Sequence, residues 1–170
     1  MKKLNNITAG LVCLALSAGV MAQGVTDDEV VLGTSTALSG PAALWGVAAS
    51  RAAQIRFDMA NENGGVHGRQ IRVVLEDHQY QVPIHVKAMN KLMNLDKVFA
   101  TFNVLGTPMN LATAETQFAN NVPMLFPMTT AKSVQEPELA LKLSFCSSYY
   151  KQVRFAVSHF LSTVRTSACV

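Results

Sequence analysis

VVLGTSTALSGPAALWGVAASRAAQIRFDMANENGGVHGRQIRVVL, residues 30–75, is the most informative segment for the fold class. It begins with a β-branched run at 30–34 that predicts a strand, turns at 39–41, and ends in a second predicted strand at 71–75. Between the strands, apolar residues recur at helical spacing and predict the inward face of a helix: Leu44, Ala48, Ala52, Ile55 and Met59. The helix should end at 63–65, because glycine adopts the left-handed conformation that closes a helix C-terminus.

The same alternation of strands and helices continues along the chain. Further strands are predicted at 98–102, 122–126 and 141–145. The helices between them are predicted from apolar residues on one side: Val82 or Val86 with Met89 and Met93 in the second, and Leu111, Ala114 and Phe118 in a third at about 108–120. A last helix is marked by Val153, Ala156, Val157, Phe160 and Leu161.

Strands that alternate with crossover helices form a parallel sheet with helices on both faces, since each crossover is right-handed. The predicted fold class is therefore α/β, with a doubly wound parallel sheet. Small ligands of such sheets sit beyond the C-terminal ends of the strands. In this chain those ends lead into the loops at 35–45, 103–109 and 127–132.

The N-terminus indicates export. Lys2 and Lys3 precede an apolar run at 9–20, and small residues follow at 20–22, so 1–22 is predicted to be a signal peptide and the product to be periplasmic. The run is shorter than the roughly 20 residues of a spanning helix, so the mature chain should not span a membrane. Cys13 follows the bulky Val12, which argues against a lipoprotein.

The length of the chain and its charge balance further restrict the class of protein. At 170 residues the chain fits one domain, predicted as 23–164 with an irregular tail at 165–170. The sequence has 14 Lys and Arg against 11 Asp and Glu, two of the basic residues lie in the signal segment, and the near-neutral remainder gives no reason to expect nucleic acid as a partner.

Four segments resemble a known family in order and spacing: residues 37–46, 61–71, 106–108, and 122–127 with Thr129 and Thr130. They are similar to the leucine/isoleucine/valine-binding proteins of bacterial ABC uptake systems, the type I periplasmic binding proteins, and the similarity covers about 28–164. It implies two lobes joined by a hinge that closes on an amino acid, a small amide or an aromatic acid. Because the chain matches only the first lobe, we expect a truncated form without its second lobe.

The resemblance also implies a difference. Some relatives join the loop after the second strand to the loop after the third by a disulfide, but the matching positions here are Tyr80 and Gly106, which cannot form one. Cys146 and Cys169 remain a possible pair in an oxidising periplasm.

The start of the third helix is the main candidate site, because a helix N-terminus offers unpaired N–H groups and a favourable dipole to an anion. Gly106 permits close approach, Thr107 offers a hydroxyl, and Pro108 suits the first helical position. By resemblance, Thr107 matches the residue that holds a ligand carboxylate. The alternative is a threonine that only caps the helix.

The other candidate ligand-binding residues lie in neighbouring loops. Thr129 and Thr130 could offer hydroxyls, and the backbone around Met128 could contribute, or these residues form an ordinary turn. Trp45 either provides an apolar wall of the site or packs between the first helix and the sheet. Of Tyr149 and Tyr150, at most one should face the cleft, and we select Tyr149.

No cofactor, metal or catalytic residue is predicted. The sequence has no G-x-S-x-G, Walker or G-x-G-x-x-G motif, and its histidines are dispersed, so we expect all four to be surface or loop residues: His67, His78, His85 and His159.

Three functional hypotheses follow. The first is the substrate-binding component of an ABC importer, with a small acid or amide as ligand and the permease as partner. The second is a degenerate fragment that binds nothing tightly, and the third is an enzyme on the same fold.

Overall fold

The computed structural model describes residues 22–164. The predicted signal peptide, apart from Ala22, and the predicted tail at 165–170 lie outside the described residues, so the proposed domain boundaries stay predictions. The strands are β1 (Glu29–Thr36), β2 (Gln70–Asp77), β3 (Ala100–Phe102), β4 (Met124–Leu125) and β5 (Lys142–Leu143). The helices are α1 (Ala43–Glu62), α2 (Val82–Asn94), α3 (Thr107–Ala119), the short α4 (Lys132–Gln135) and α5 (Tyr149–Val164).

The five strands form one parallel sheet in the order β2-β1-β3-β4-β5. This confirms the predicted doubly wound α/β fold. The chain leaves β1 toward β2 and then returns past β1 to β3, so the strand order reverses at β1. Loops at such a reversal diverge and leave a crevice at the C-terminal edge of the sheet.

The hydrophobic core lies between the sheet and α2. Met89 and Leu92 are fully buried and Met93 nearly so, and they pack with Val31 of β1 and Val98 before β3. This confirms the predicted inward side of α2. Burial of each side chain of this size stabilises the fold by about 1.5–3 kcal/mol. Packing against α2 therefore stabilises the part of the sheet from which the candidate loops extend.

The predicted inward face of α1 is wrong. Leu44 is 80% exposed, Ile55 and Met59 are exposed as well, and so are Ala48 and Ala52. The residue of α1 that is buried is Gly46, where a Cβ would lie 2.0 Å from the Ala37 carbonyl oxygen. The N-terminal end of the helix therefore packs through Gly46, because only glycine allows its backbone to come this close to the end of β1. Farther along, Phe57 packs edge-on against Phe102 of β3 at a ring-centroid distance of 5.3 Å.

The predicted buried face of α3 is also wrong. Leu111 is exposed and Ala114 and Phe118 are only half-buried, whereas the buried residues are Met109, Asn110, Thr113 and Gln117. Each of the three polar ones makes hydrogen bonds, although Asn110 Oδ1 has no partner among the described residues. Asn110 Nδ2 donates to Val104 O at 3.0 Å, and Gln117 Nε2 donates to Thr101 Oγ1 at 2.7 Å. Burial of such groups is tolerated because these bonds replace those made with water.

Helix α5 confirms the last predicted helix, but its apolar residues are exposed. Val153, Val157, Phe160 and Leu161 are all more than half exposed. Within residues 22–164, no helix combines the length and the hydropathy that a membrane-spanning segment requires.

Candidate ligand-binding site

A cavity of about 560 Å³ opens at the C-terminal edge of the sheet. All seven predicted ligand-binding residues line it: Trp45, Gly106, Thr107, Met128, Thr129, Thr130 and Tyr149. The remaining lining residues are Pro41, Ala42, Tyr80, Leu105, Pro127, Phe145 and Cys146. The loops after β1, β3 and β4 thus meet as the strand-end rule requires, while a ligand role for the seven residues stays a prediction.

The floor of the cavity contains the start of α3. Gly106 is the N-cap residue with φ 105°, a left-handed conformation that favours glycine, and Thr107 is the first helical residue. Pro108 is therefore the second helical residue and not the first. Thr107 is not the N-cap threonine of the alternative, because Gly106 occupies that position and the Thr107 hydroxyl contacts Thr129 instead. As at every helix start, the first N–H groups have no partner within the helix.

Two threonine hydroxyls meet in this floor. Thr107 Oγ1 lies 2.7 Å from Thr129 Oγ1, which also accepts the Ala131 N–H at 3.3 Å. The Met128 N–H donates to Val104 O at 2.9 Å, so the loops after β3 and β4 are joined by backbone as well as by side chains. The hydroxyls are thereby held beside the N-terminus of α3.

Aromatic side chains form the upper walls. Trp45 is 67% exposed, which excludes the alternative that it packs between α1 and the sheet. Tyr149 is half-exposed, and its N–H donates to Thr130 O at 3.0 Å, which fixes the start of α5 beside the loop after β4. Tyr150 does not line the cavity. These walls offer apolar contact to a ligand.

Among residues 22–164, no charged side chain lines this cavity. Its polar groups are hydroxyls and backbone amides, and an anion is therefore attracted by the dipole of α3 and by N–H donors. Such a lining is suited to a carboxylate attached to an apolar group.

Asp77, at the end of β2, fixes the loop that joins β1 to α1, the helix on which Trp45 lies. Its carboxylate accepts the Leu38 N–H at 2.9 Å, the Ser39 hydroxyl at 2.6 Å and the Gln79 N–H at 2.8 Å. Burial acts to raise the pKa of Asp77, but these bonds outweigh it and hold the pKa below its ordinary value.

The prediction of surface or loop positions is wrong for His85, which lies in α2, whereas His78 does lie in a loop. His78 and His85 are fully buried, whereas His67 and His159 are exposed as expected. His85 lies between Ser35 Oγ and Thr113 Oγ1, 3.0 Å from each. Burial, together with the neighbouring His78, lowers the pKa of His85 to about 4. It is a neutral histidine that crosslinks β1, α2 and α3.

His78 lies nearer the cavity. Its Nδ1 accepts the Tyr80 N–H at 2.9 Å and its Nε2 is 3.1 Å from Leu105 O. Burial lowers the pKa of His78, although the Leu105 carbonyl and the Asp77 carboxylate both favour the protonated form. Both of its partner residues, Tyr80 and Leu105, line the cavity.

The sequence analysis missed Tyr80 and Phe145 as lining residues. Phe145 follows β5, so the rule that sites gather at the ends of parallel strands could have identified it. Cys146 is exposed at the cavity, and Cys169 lies outside the described residues, so their pairing stays a prediction. Residues 22–164 contain no cluster of three or more His, Cys, Asp or Glu that could hold a metal.

Comparison with known proteins identifies a matching family. A family model described as periplasmic binding protein matches residues 29–169. The Leu/Ile/Val-binding protein BraC3 of Rhizobium johnstonii is 24% identical over 162 residues, which are 95% of this chain and 42% of that protein. The leucine-specific-binding protein of Salmonella typhimurium is 32% identical over 93 residues, 55% of this chain and 24% of that protein.

Solved structures show the same fold. A fatty acid ABC transporter substrate-binding protein from Thermomonospora curvata is 26% identical with a TM-score of 0.76, covering 84% of this chain and 36% of that one. A substrate-binding periplasmic protein from Ralstonia solanacearum is 25% identical with a TM-score of 0.74, covering 79% and 38%. The chain spans less than half the length of each of these relatives.

Proposed function

Since this chain belongs to the periplasmic binding protein family, we propose that it forms a ligand-binding lobe of the extracytoplasmic substrate-binding component of an ABC importer. The proposed ligands are amino acids or related small acids and amides, and the proposed partner is the importer's permease. The proposed location is the periplasm. Relatives named for leucine, isoleucine and valine support this ligand class.

The observation that carries the proposal is the pair of hydroxyls at the start of α3. Thr129 Oγ1 accepts the Ala131 N–H and can donate its own proton to Thr107 Oγ1, 2.7 Å away. Thr107 can then donate its hydroxyl proton, and its backbone N–H, to a carboxylate in the cavity. Hydrogen bonds to charged groups are stronger than those between neutral groups, and the helix dipole adds to them.

The walls select the rest of the ligand. Trp45, Leu105 and Phe145 present apolar surface above this polar floor, which fits an aliphatic or aromatic side chain. Within the part of the chain that the structure describes, no carboxylate lines the cavity to pair with an ammonium group. We therefore assign the ammonium of an amino acid to groups outside this lobe, and expect the lobe itself to recognise the acid end and the side chain.

The test is isothermal titration calorimetry of the purified chain against matched ligands. Leucine and 4-methylpentanoate share a carboxylate and a branched side chain, whereas 3-methylbutylamine keeps the branched chain without the acid. We expect the two acids to bind and the amine not to bind. Binding of the amine as tightly as the acids would contradict the assignment of the carboxylate to α3.

Thr107→Val removes the hydroxyl with little change in shape. We expect it to weaken binding of the acids about tenfold to a hundredfold, the loss typical of a hydrogen bond to a charged group. Thr116→Val, on the exposed side of the same helix, is the control and should bind like the parent chain.

Two outcomes would favour the other hypotheses. Absence of heat with a broad panel of amino acids, amides and aromatic acids would favour a fragment that binds nothing. Turnover of one of these ligands, lost on substitution of a single cavity residue, would favour an enzyme.

A further inference from the structure

We infer that His78 is a positioning residue of the cavity: its imidazole fastens the loop after β2 to the loop after β3 and so holds Tyr80 and Leu105 in place as cavity walls. This inference rests on the proposed function only where it concerns ligand affinity. We call the two hydrogen bonds of the His78 ring, to Tyr80 and to Leu105, the clasp; they are a property of the unliganded chain.

The hydrogen bonds of His78 define the tautomer and the charge of its imidazole ring. A backbone carbonyl can only accept, so Nε2, 3.1 Å from Leu105 O, must carry the proton. Nδ1 is then an unprotonated acceptor for the Tyr80 N–H at 2.9 Å. Both ring nitrogens are thus used, each by a different loop, in a side chain that is fully buried. A neutral imidazole with this tautomer fits the position, and the protonated ring does not.

The loop after β2 needs such a fastening. Gln79 and Tyr80 have φ values of 53° and 59°, a left-handed conformation that costs a residue other than glycine roughly 1 kcal/mol. A backbone bond from the Gln81 N–H to His78 O at 2.7 Å closes this strained turn, and the bond from the Tyr80 N–H to His78 Nδ1 holds Tyr80 within it. Without the bond to Nδ1, we expect Tyr80 to relax from its left-handed conformation and its ring to leave its place.

Movement of Tyr80 would directly disturb the proposed carboxylate site at the start of α3. A Cβ placed on Gly106 would lie 3.1 Å from Tyr80 Cε2, so the Tyr80 ring packs against the N-cap of α3. Gly106 precedes Thr107, and Leu105, the second partner of His78, precedes Gly106. Tyr80 and Gly106 hold no disulfide, and the buried imidazole joins the same two loops by hydrogen bonds.

Protonation of His78 should open the clasp. A proton on Nδ1 would point at the Tyr80 N–H, which would lose its acceptor. The titratable groups around the ring are Asp77, next to it in sequence, the His85 ring at a centroid distance of 5.5 Å and the Tyr80 phenol ring at 6.2 Å. Burial lowers the pKa of His78, so opening requires a pH below the ordinary range of histidine.

The test uses amide hydrogen exchange by NMR on the full chain and two variants. His78→Phe keeps the ring volume and removes both bonds. His78→Asn keeps an acceptor two residues before the Tyr80 N–H but is too short to reach Leu105. His67→Asn, at an exposed position, is the matched control.

We expect the Tyr80 amide to exchange about two- to tenfold faster in His78→Phe, the loss expected for one hydrogen bond, and at the parent rate in His78→Asn. The Gly106 amide, and the Asn110 amide that donates to Gly106 O at 3.2 Å, should exchange faster in both variants and at the parent rate in the control. On lowering the pH, the exchange rates of the parent chain, corrected for intrinsic exchange, should approach those of His78→Phe. The corrected rates of His78→Phe itself should not change with pH.

Parent-like exchange at Tyr80 and Gly106 in a folded His78→Phe chain would overturn the inference. Should His78→Phe fail to fold, the parent chain still decides: nitrogen NMR that finds the proton of the neutral ring on Nδ1 contradicts the clasp, and a proton on Nε2 supports it. These readouts need no ligand. A failure to bind 4-methylpentanoate would therefore count against the proposed function alone, whereas parent affinity in His78→Phe would count against His78 as a positioning residue.

Discussion

Acid should destabilise this fold through one buried side chain, His85. The folded chain keeps His85 neutral between Ser35 and Thr113, because burial and the neighbouring His78 lower its pKa from 6.5 to about 4. In the unfolded chain His85 takes up a proton near pH 6.5. Its contribution to stability is therefore complete above pH 6.5 and is lost as the pH falls toward 4.

The size of the effect follows from the two pKa values. At about 1.4 kcal/mol for each pH unit between them, the free energy of unfolding should fall by about 3 kcal/mol from this residue alone. Since domains are stable by only about 5–15 kcal/mol in total, the loss should be readily measurable.

The perturbation that isolates this effect is His85→Gln, with His67→Gln as the exposed control. Urea denaturation followed by circular dichroism at pH 7, 6, 5 and 4 gives the free energy of unfolding of each chain. At pH 7 we expect His85→Gln to be less stable than the parent by about 1–3 kcal/mol, because one of the two hydroxyls loses its partner. Between pH 7 and pH 4, the free energy of unfolding of the parent should fall by about 3 kcal/mol more than that of His85→Gln, so the variant should become at least as stable as the parent. The stability of His67→Gln should match that of the parent at every pH.

Carboxylates also titrate between pH 5 and 4, but they do so in parent and variant alike. The difference between the two chains therefore reports on His85. A difference of the same size at every pH, or NMR that finds His85 titrating near 6.5 in the folded chain, would refute the reasoning.

Three further predictions concern the framework of the site. Gly46→Ala should destabilise the chain by at least about 1–3 kcal/mol in urea denaturation, because the new Cβ would lie 2.0 Å from the Ala37 carbonyl oxygen; full stability would contradict the close packing of α1. Asp77→Asn should cost about 1 kcal/mol at pH 7, and the loss should vanish on acidification below pH 3.8, because hydrogen bonds hold the pKa of Asp77 below that value; a loss that persists in acid would exclude the charge as its cause. Met89→Ala should cost about 2–5 kcal/mol, since Met89 is fully buried in the core, while the exposed Met59→Ala should change thermal stability little.

The sequence was sufficient to predict the strands, their parallel arrangement and the family. Runs such as 30–34 and 71–75 are local signals, and their alternation with helices permits few topologies. The site followed from the same reasoning, because the loops that end β1, β3 and β4 must meet at one edge of the sheet.

Helix orientation was predicted less well, because it depends on contacts between elements distant in sequence. Periodicity favoured the side of α1 with Leu44 and Ile55, but the close approach at Gly46 turned that side to solvent. A glycine is neutral in a hydrophobic pattern, so its role is visible only when the sheet is in place.

The buried histidines could not be predicted for a related reason. A histidine is buried where its two nitrogens find partners, and the partners of His85 are 50 and 28 residues away along the chain. Those of His78 are two and 27 residues away. Spacing reveals metal sites and catalytic motifs, but it does not reveal a crosslink between distant loops.

Binding of the acid group of a small ligand at the N-terminus of α3 can be tested by an amide NMR titration of the chain with 4-methylpentanoate, in which every backbone N–H reports its own contact. We expect the largest shifts at Thr107 and its neighbours at the start of α3. The Trp45 side-chain N–H should shift with them, and Thr107→Val should reduce all of these shifts together. Saturable shifts centred elsewhere, with Thr107 unmoved, would contradict binding at this position.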